Sequence, residues 1–160
     1  MVIAKKTRYT ALLSSVMLVG SLLIAGNASA EIFTIYPTLS SGSSGGYVES
    51  LQANLWSSGL KSTVGDIDGK YGSGTGTAVK SYQSNAGLTA DGIAGPATWK
   101  SMNKYVVNVG YDQFYYRHSG STTFETFYRS TPNGDGYDWR YDLRYKSNQY
   151  VVKTGIVYSY

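Results

Sequence analysis

The phrase Asp68-Gly69-Lys70-Tyr71-Gly72 recurs further along the chain as Asp91-Gly92-Ile93-Ala94-Gly95. Asp-Gly is a tight-turn pair, because the Asp side chain bonds backbone ahead of it and Gly accepts a positive φ. Each copy stands just before a segment with helical spacing. Two copies of one turn-and-helix unit so close together constrain the chain to a small pseudo-symmetric helical module.

Three helices follow from the spacing. Residues 47–57 carry Val48, Leu51 and Leu55 three and four apart, with Gly59 as the stop. Residues 75–86 repeat the pattern, with Thr75 as the expected N-cap, Ala78, Val79 and Tyr82 as the inward stripe and Gly87 as the stop. A third helix starts after Gly95, with Pro96 at its first position, where the missing N–H costs nothing, and Trp99 and Met102 facing inward. Before them, residues 31–38 read as a linker, and the Ser/Gly run at 40–46 reads as a helix lead-in.

Residues 1–30 read as a cleaved secretory signal. Lys5, Lys6 and Arg8 form a basic head, an apolar run covers residues 11–26, and Ala28-Ser29-Ala30 supplies a cleavage site before Glu31. No stable membrane anchor is expected after cleavage. The full chain has 14 Lys+Arg against 10 Asp+Glu. Three of those basic residues belong to the signal, so 11 against 10 leaves the mature chain at +1. Its basic character therefore gives no argument for nucleic acid. The mature chain, residues 31–160, contains no cysteine, so packing rather than disulfides must hold it together.

Beyond residue 105 the period changes. Eleven of the 16 tyrosines lie in residues 105–160. Tyr137, Trp139, Tyr141, Leu143 and Tyr145 alternate with Asp138, Arg140, Asp142, Arg144 and Lys146, which predicts a strand in an antiparallel sheet with one wet face. The run Asn133-Gly134-Asp135-Gly136 predicts the tight turn before it. Further strands are expected at 105–111, 113–117, 122–130 and 149–158, giving four or five in all. Tyr137, Trp139 and Tyr141 are expected in the core. A sheet this short and without disulfides is too small for independent stability, so it is expected to pack on the helical module.

Residues about 37–103 resemble the peptidoglycan-binding domain family, the three-helix type often attached to cell-wall hydrolases. The resemblance is carried by Pro37, Leu39, Gly42-Ser43, Gly45, Val48, Leu51-Gln52 and Leu55. It continues through Asp68-Gly69, Tyr71-Gly72, Thr75, Ala78-Val79, Tyr82-Gln83, Gly87-Leu88, Asp91-Gly92, Gly95-Pro96 and Thr98-Trp99. Tyr71 and Tyr82 stand where the family commonly has phenylalanine, and Ala94 replaces a larger apolar residue. The resemblance implies a module that holds an exported protein on the bacterial wall, with peptidoglycan, either glycan or stem peptide, as the partner. Candidate ligand residues are Tyr71, Thr75, Asp91, Gly92 and Trp99. For each there is a structural alternative: Asp68 and Asp91 as turn caps, Tyr71 and Trp99 as core, Gln52 and Gln83 as ligands of backbone within the fold.

Catalytic chemistry finds few residues to carry it. His118 is the only histidine, so a conventional zinc site lacks ligands, and no thiol nucleophile exists. A glycosidase pair would have to use Glu125 with Asp112, Asp135, Asp138 or Asp142. The reading is therefore an α+β protein. Its parts are a signal at 1–30, a linker at 31–38, an all-α three-helix module at 39–104 and a Tyr-rich antiparallel β region at 105–160. The expected protein is secreted, wall-associated, non-catalytic and free of cofactors, with a Gram-positive bacterium as its source. The alternatives are a wall hydrolase acting through the β region and a secreted toxin-like or signalling protein delivered to the wall.

Overall fold

The computed structural model describes residues 31–159. The signal peptide expected at 1–30 lies outside the described residues. The chain forms α1 (Gly46–Ser57), α2 (Lys61–Val64), α3 (Ser73–Asn85) and α4 (Pro96–Asn103). It then forms β1 (Val106–Gly110), β2 (Gln113–Tyr116), β3 (Phe124–Pro132), β4 (Tyr137–Tyr145) and β5 (Val151–Ser159). The class is α+β. The extra helix, α2, is a single turn; so short an element cannot show a hydrophobic period, and it left no trace in the sequence reading.

Helix boundaries follow local chemistry. Pro96 opens α4 just after Gly95. Gly59 and Gly87, at φ +85° and +69°, follow the ends of α1 and α3. Thr75 is not the N-cap of α3. The helix begins at Ser73 behind Gly72, whose backbone is extended, and Thr75 is buried inside the first turn.

The five strands form one antiparallel meander in chain order, β1-β2-β3-β4-β5. Its inner face carries Phe124, Thr126 and Tyr128 from β3 and Trp139, Tyr141 and Leu143 from β4, all buried. Tyr137 continues the same series but is 54% exposed, because β4 has there run past the edge of the helical layer. The outer face carries Glu125, Phe127 and Arg129 opposite Arg144, Asp142 and Arg140. This face is not simply wet. Glu125 and Asp142 are buried beneath arginines that pair with them.

Helix α1 lies across the inner face, and polar groups seal the junction. Ser50 Oγ and Tyr128 Oη are 2.8 Å apart, as are Ser57 Oγ and Thr126 Oγ1, and Ser58 Oγ and Tyr116 Oη. Tyr128 Oη also donates to Asn54 Oδ1 at 2.9 Å, and Tyr141 Oη donates to Glu49 Oε2 at 2.9 Å. Gly46 makes the approach possible, since a Cβ there would sit 2.0 Å from the Ile156 carbonyl oxygen.

The segment 31–38 is not a linker. Phe33 and Tyr36 are buried between the two layers. Phe33 meets Trp99 and Tyr128 at ring distances of 5.7 and 5.5 Å, and Trp139 Nε1 donates to Tyr36 Oη at 3.0 Å. Helical and sheet side chains thus share one apolar cluster. Two isolated aromatics separated by other residues carry no period, so the sequence hid this plug.

Candidate functional site

The repeated phrase folds into two copies of one hydrogen-bonded corner. In the first, Gln52 of α1 reaches Asp68 Oδ1 at 3.0 Å, the Lys70 carbonyl at 3.1 Å and Thr75 Oγ1 at 3.1 Å through its amide nitrogen. Its Oε1 accepts from the backbone N–H of Asp68 and of Gly69, at 3.1 and 3.0 Å. In the second, Gln83 of α3 reaches Asp91 Oδ1 at 2.8 Å, the Ile93 carbonyl at 2.9 Å and Thr98 Oγ1 at 3.1 Å. Its Oε1 accepts from Gly92 N–H at 2.9 Å. Gly69 and Gly92 take φ +71° and +76° so that their amides face the glutamine. Asp68 and Asp91 cap their own turns by accepting from Lys70 and Ile93 N–H at 3.0 and 2.8 Å.

These bonds set the electrostatics. The Gln52 amide and the Lys70 N–H favour ionised Asp68 and hold its carboxyl below the ordinary value. The Ile93 N–H and the Gln83 amide do the same for Asp91. Each corner also pairs with the chain before α1: Leu39 and Ala94 exchange backbone bonds at 3.1 and 2.9 Å, and Ser44 bridges Lys70.

The five candidate ligand residues separate into two groups. Tyr71, Thr75 and Trp99 are buried. Tyr71 Oη donates to the Gly92 carbonyl at 2.7 Å and so ties the first corner to the second; burial pushes its phenol up to about 12. Thr75 faces the Gln52 amide, and Trp99 Nε1 donates to the Pro37 carbonyl at 2.9 Å. These three side chains support the surface rather than form it.

Asp91 is exposed and stands at the rim of a cleft; Gly92, next to it in the turn, is half-buried and does not line the cleft. The cleft has a volume of about 610 Å³ and runs between the second corner, the end of α3 and Thr38. Leu88, Thr89, Ile93, Pro96 and Ala97 line it beside Asp91. Ile93 is 41% exposed, which is unusual for an isoleucine held in a rigid turn. Sequence reasoning passed over Ile93 and Leu88; the available signal was an apolar residue inside a turn of Asp and Gly, where the fold has no use for it. An apolar floor with a carboxylate acceptor at its edge suits a ligand that is part apolar and carries amide N–H donors.

The carboxylates considered for sugar cleavage lie elsewhere. Glu125 is 2% exposed, paired with Arg117 and bonded by Gln149. Asp142 is 3% exposed and paired with Arg144 at 2.9 Å and Arg129 at 3.3 Å. His118 is half-buried against Tyr105, with rings 4.1 Å apart. Its Nδ1 accepts from Gly120 N–H at 2.9 Å, and burial lowers its basicity. Among the described residues no group of three His, Cys, Asp or Glu side chains is placed to hold a metal ion. No helix among them is long and apolar enough to cross a membrane.

Residues 44–102 match the family described as "Putative peptidoglycan binding domain", and this segment of the chain is similar to the domains of that family. The match contains both corners and most of the cleft and ends before β1. Similar curated proteins include a zinc D-Ala-D-Ala carboxypeptidase of Streptomyces albus G, 43% identical over 84 residues, or 48% of this chain and 32% of that protein. An uncharacterised protein of Kitasatospora aureofaciens is 41% identical over 70 residues, 44% of this chain and 58% of that protein. The N-acetylmuramoyl-L-alanine amidase CwlL of Bacillus licheniformis is 42% identical over 64 residues, covering 40% of this chain and 18% of that protein. The chain thus spans between about a fifth and three fifths of these relatives.

Proposed function

We propose that the chain is an exported, non-catalytic protein that binds bacterial peptidoglycan in the cleft beside the second Asp-Gly corner. The observation that carries this reading is the cleft lined by exposed Ile93 and half-buried Leu88 inside the family-matched segment, rimmed by Asp91. Stem peptides offer methyl groups, amides and carboxylates, and such a floor beside a carboxylate acceptor accommodates the first two. Export rests on the signal-like pattern of residues 1–30, and wall association on the kind of domain present. The relatives with named activities are hydrolases of the wall, and the matched segment is what this chain shares with them. A role without catalysis is supported by the state of the sheet carboxylates, since Glu125 and Asp142 are committed to arginines rather than open to a cleft.

Sedimentation with purified peptidoglycan tests the reading. The native chain is expected in the pellet. Ile93→Asp, which leaves both glutamine corners intact, is expected to move most of it to the supernatant. Equal pelleting of the two proteins would contradict the cleft assignment, and clearing of a wall-impregnated gel by pure protein would contradict the absence of catalysis.

A further inference from the structure

The outer face of the sheet carries a second feature that the wall-binding cleft does not use. Arg117, Arg129, Arg140 and Arg144 stand there with Glu125, Asp138 and Asp142. The side chains of the acids are 3–11% exposed and those of the arginines 17–44% exposed. Negative charge is sunk into the sheet, and solvent meets guanidinium.

The arginines are also held in place. Arg117 lies over the Tyr115 ring at 4.1 Å and Arg144 over the Phe127 ring at 4.2 Å. Arg129 and Arg140 face each other directly across the β3–β4 ladder, each screened from within the sheet by one carboxylate, Asp142 at 3.3 Å and Asp138 at 3.4 Å. Their ion pairs use few of the five donors each guanidinium carries. Between them runs an open trough of about 680 Å³ lined by Arg129, Thr131, Arg140, Asp142, Arg144 and Thr154.

We infer that this trough binds a linear polyol-phosphate polymer, a chain of phosphodiesters joined by glycerol-like units. A phosphodiester presents two unshared oxygens that fit a guanidinium fork, and one such group bridging Arg129 and Arg140 would use donors that the ion pairs leave free. The trough is open and its lining spans β3, β4 and β5, which suits a chain with repeated single charges better than one compact dianion. Nucleic acid fits poorly, because the two rings on this face, Phe127 and Tyr115, are covered by Arg144 and Arg117 and offer no base a stacking platform. The prefixed guanidiniums lose little freedom on binding. This inference goes beyond the peptidoglycan reading and stands without it.

Titration calorimetry of the full chain with synthetic poly(glycerol phosphate) provides the test, with single-stranded oligonucleotide and polyglutamate as parallel probes. Binding is expected for the polyol phosphate, weakening about tenfold between about 50 and 200 mM salt. The R129Q/R140Q double variant should lose at least tenfold in affinity and Arg140→Gln alone at least threefold, both with native near-ultraviolet dichroism. Arg140 has a single ion pair, at 3.4 Å, so its replacement keeps the test valid if the double variant does not fold. Sedimentation of both variants with phosphate-free peptidoglycan should remain native, which separates this face from the cleft. Absence of binding, equal binding by Arg140→Gln, or equal or tighter binding of oligonucleotide or polyglutamate would overturn the inference.

Discussion

Gln52 and Gln83 are the residues on which the helical module turns. Both are almost fully buried, and each satisfies a turn that precedes the next helix. Replacing Gln52 with leucine strands the buried N–H of Gly69 and the partly buried N–H of Asp68, and a buried orphan costs about 1–3 kcal/mol. Urea unfolding should report a loss of about 2–5 kcal/mol for Gln52→Leu, and a similar one for Gln83→Leu. The capped aspartates add a pH dependence. Their folded pKa values lie below 3.8, so their stabilisation is complete above that value and disappears as pH falls through the folded values. Thermal melts should therefore be flat from about pH 7 to about 5 and fall below about 4, and Asp68→Asn with Asp91→Asn should flatten that fall. The roles of both glutamines and both aspartates were legible in the sequence, because the repeat places them at equivalent positions. The burial of Tyr71, Thr75 and Trp99 was not. A small domain uses the same residue types to fill a core and to line a groove, and tertiary contacts decide between them: residues 31–38 over Trp99, the second corner for Tyr71 and Gln52 for Thr75.

At the scale of elements, the sheet is defined by what lies behind it. The alternation in β4 made that strand readable from sequence, and the five strands fall within a few residues of the expected ranges, because a half-buried strand must alternate. The burial of the acids on the outer face could not be read, since alternation gives the side of a residue but not the depth of its neighbours' arginines. Contact of α1 with β5 depends on Gly46. Alanine there would put Cβ against the Ile156 and Val157 carbonyl oxygens, both backbone and unable to turn aside. Gly46→Ala should lower stability by about 1–3 kcal/mol and raise amide exchange in β5 first, measured by hydrogen exchange.

Phe33 and Tyr36 join the two layers of the described residues into one apolar cluster. Residues 105–160 alone would expose Tyr116, Tyr128 and Tyr141 and remove the α1 groups that bond them, so that fragment should show no cooperative melt by circular dichroism. The full chain should show a single transition. Buried phenols also set an alkaline limit. Tyr36, Tyr116, Tyr128 and Tyr141 are raised by burial, as is Tyr71, whose folded value is about 12. Their stabilisation is complete below about pH 10 and is lost above it, when unfolded tyrosines ionise first. The most direct measurement of the central claim is amide chemical-shift mapping of the full chain titrated with a soluble peptidoglycan fragment. The account predicts that shifts cluster at Thr38, Leu88, Thr89, Asp91, Gly92, Ile93 and Gly95 and leave the sheet unmoved. Shifts confined to the sheet, or none at saturating fragment, would contradict it.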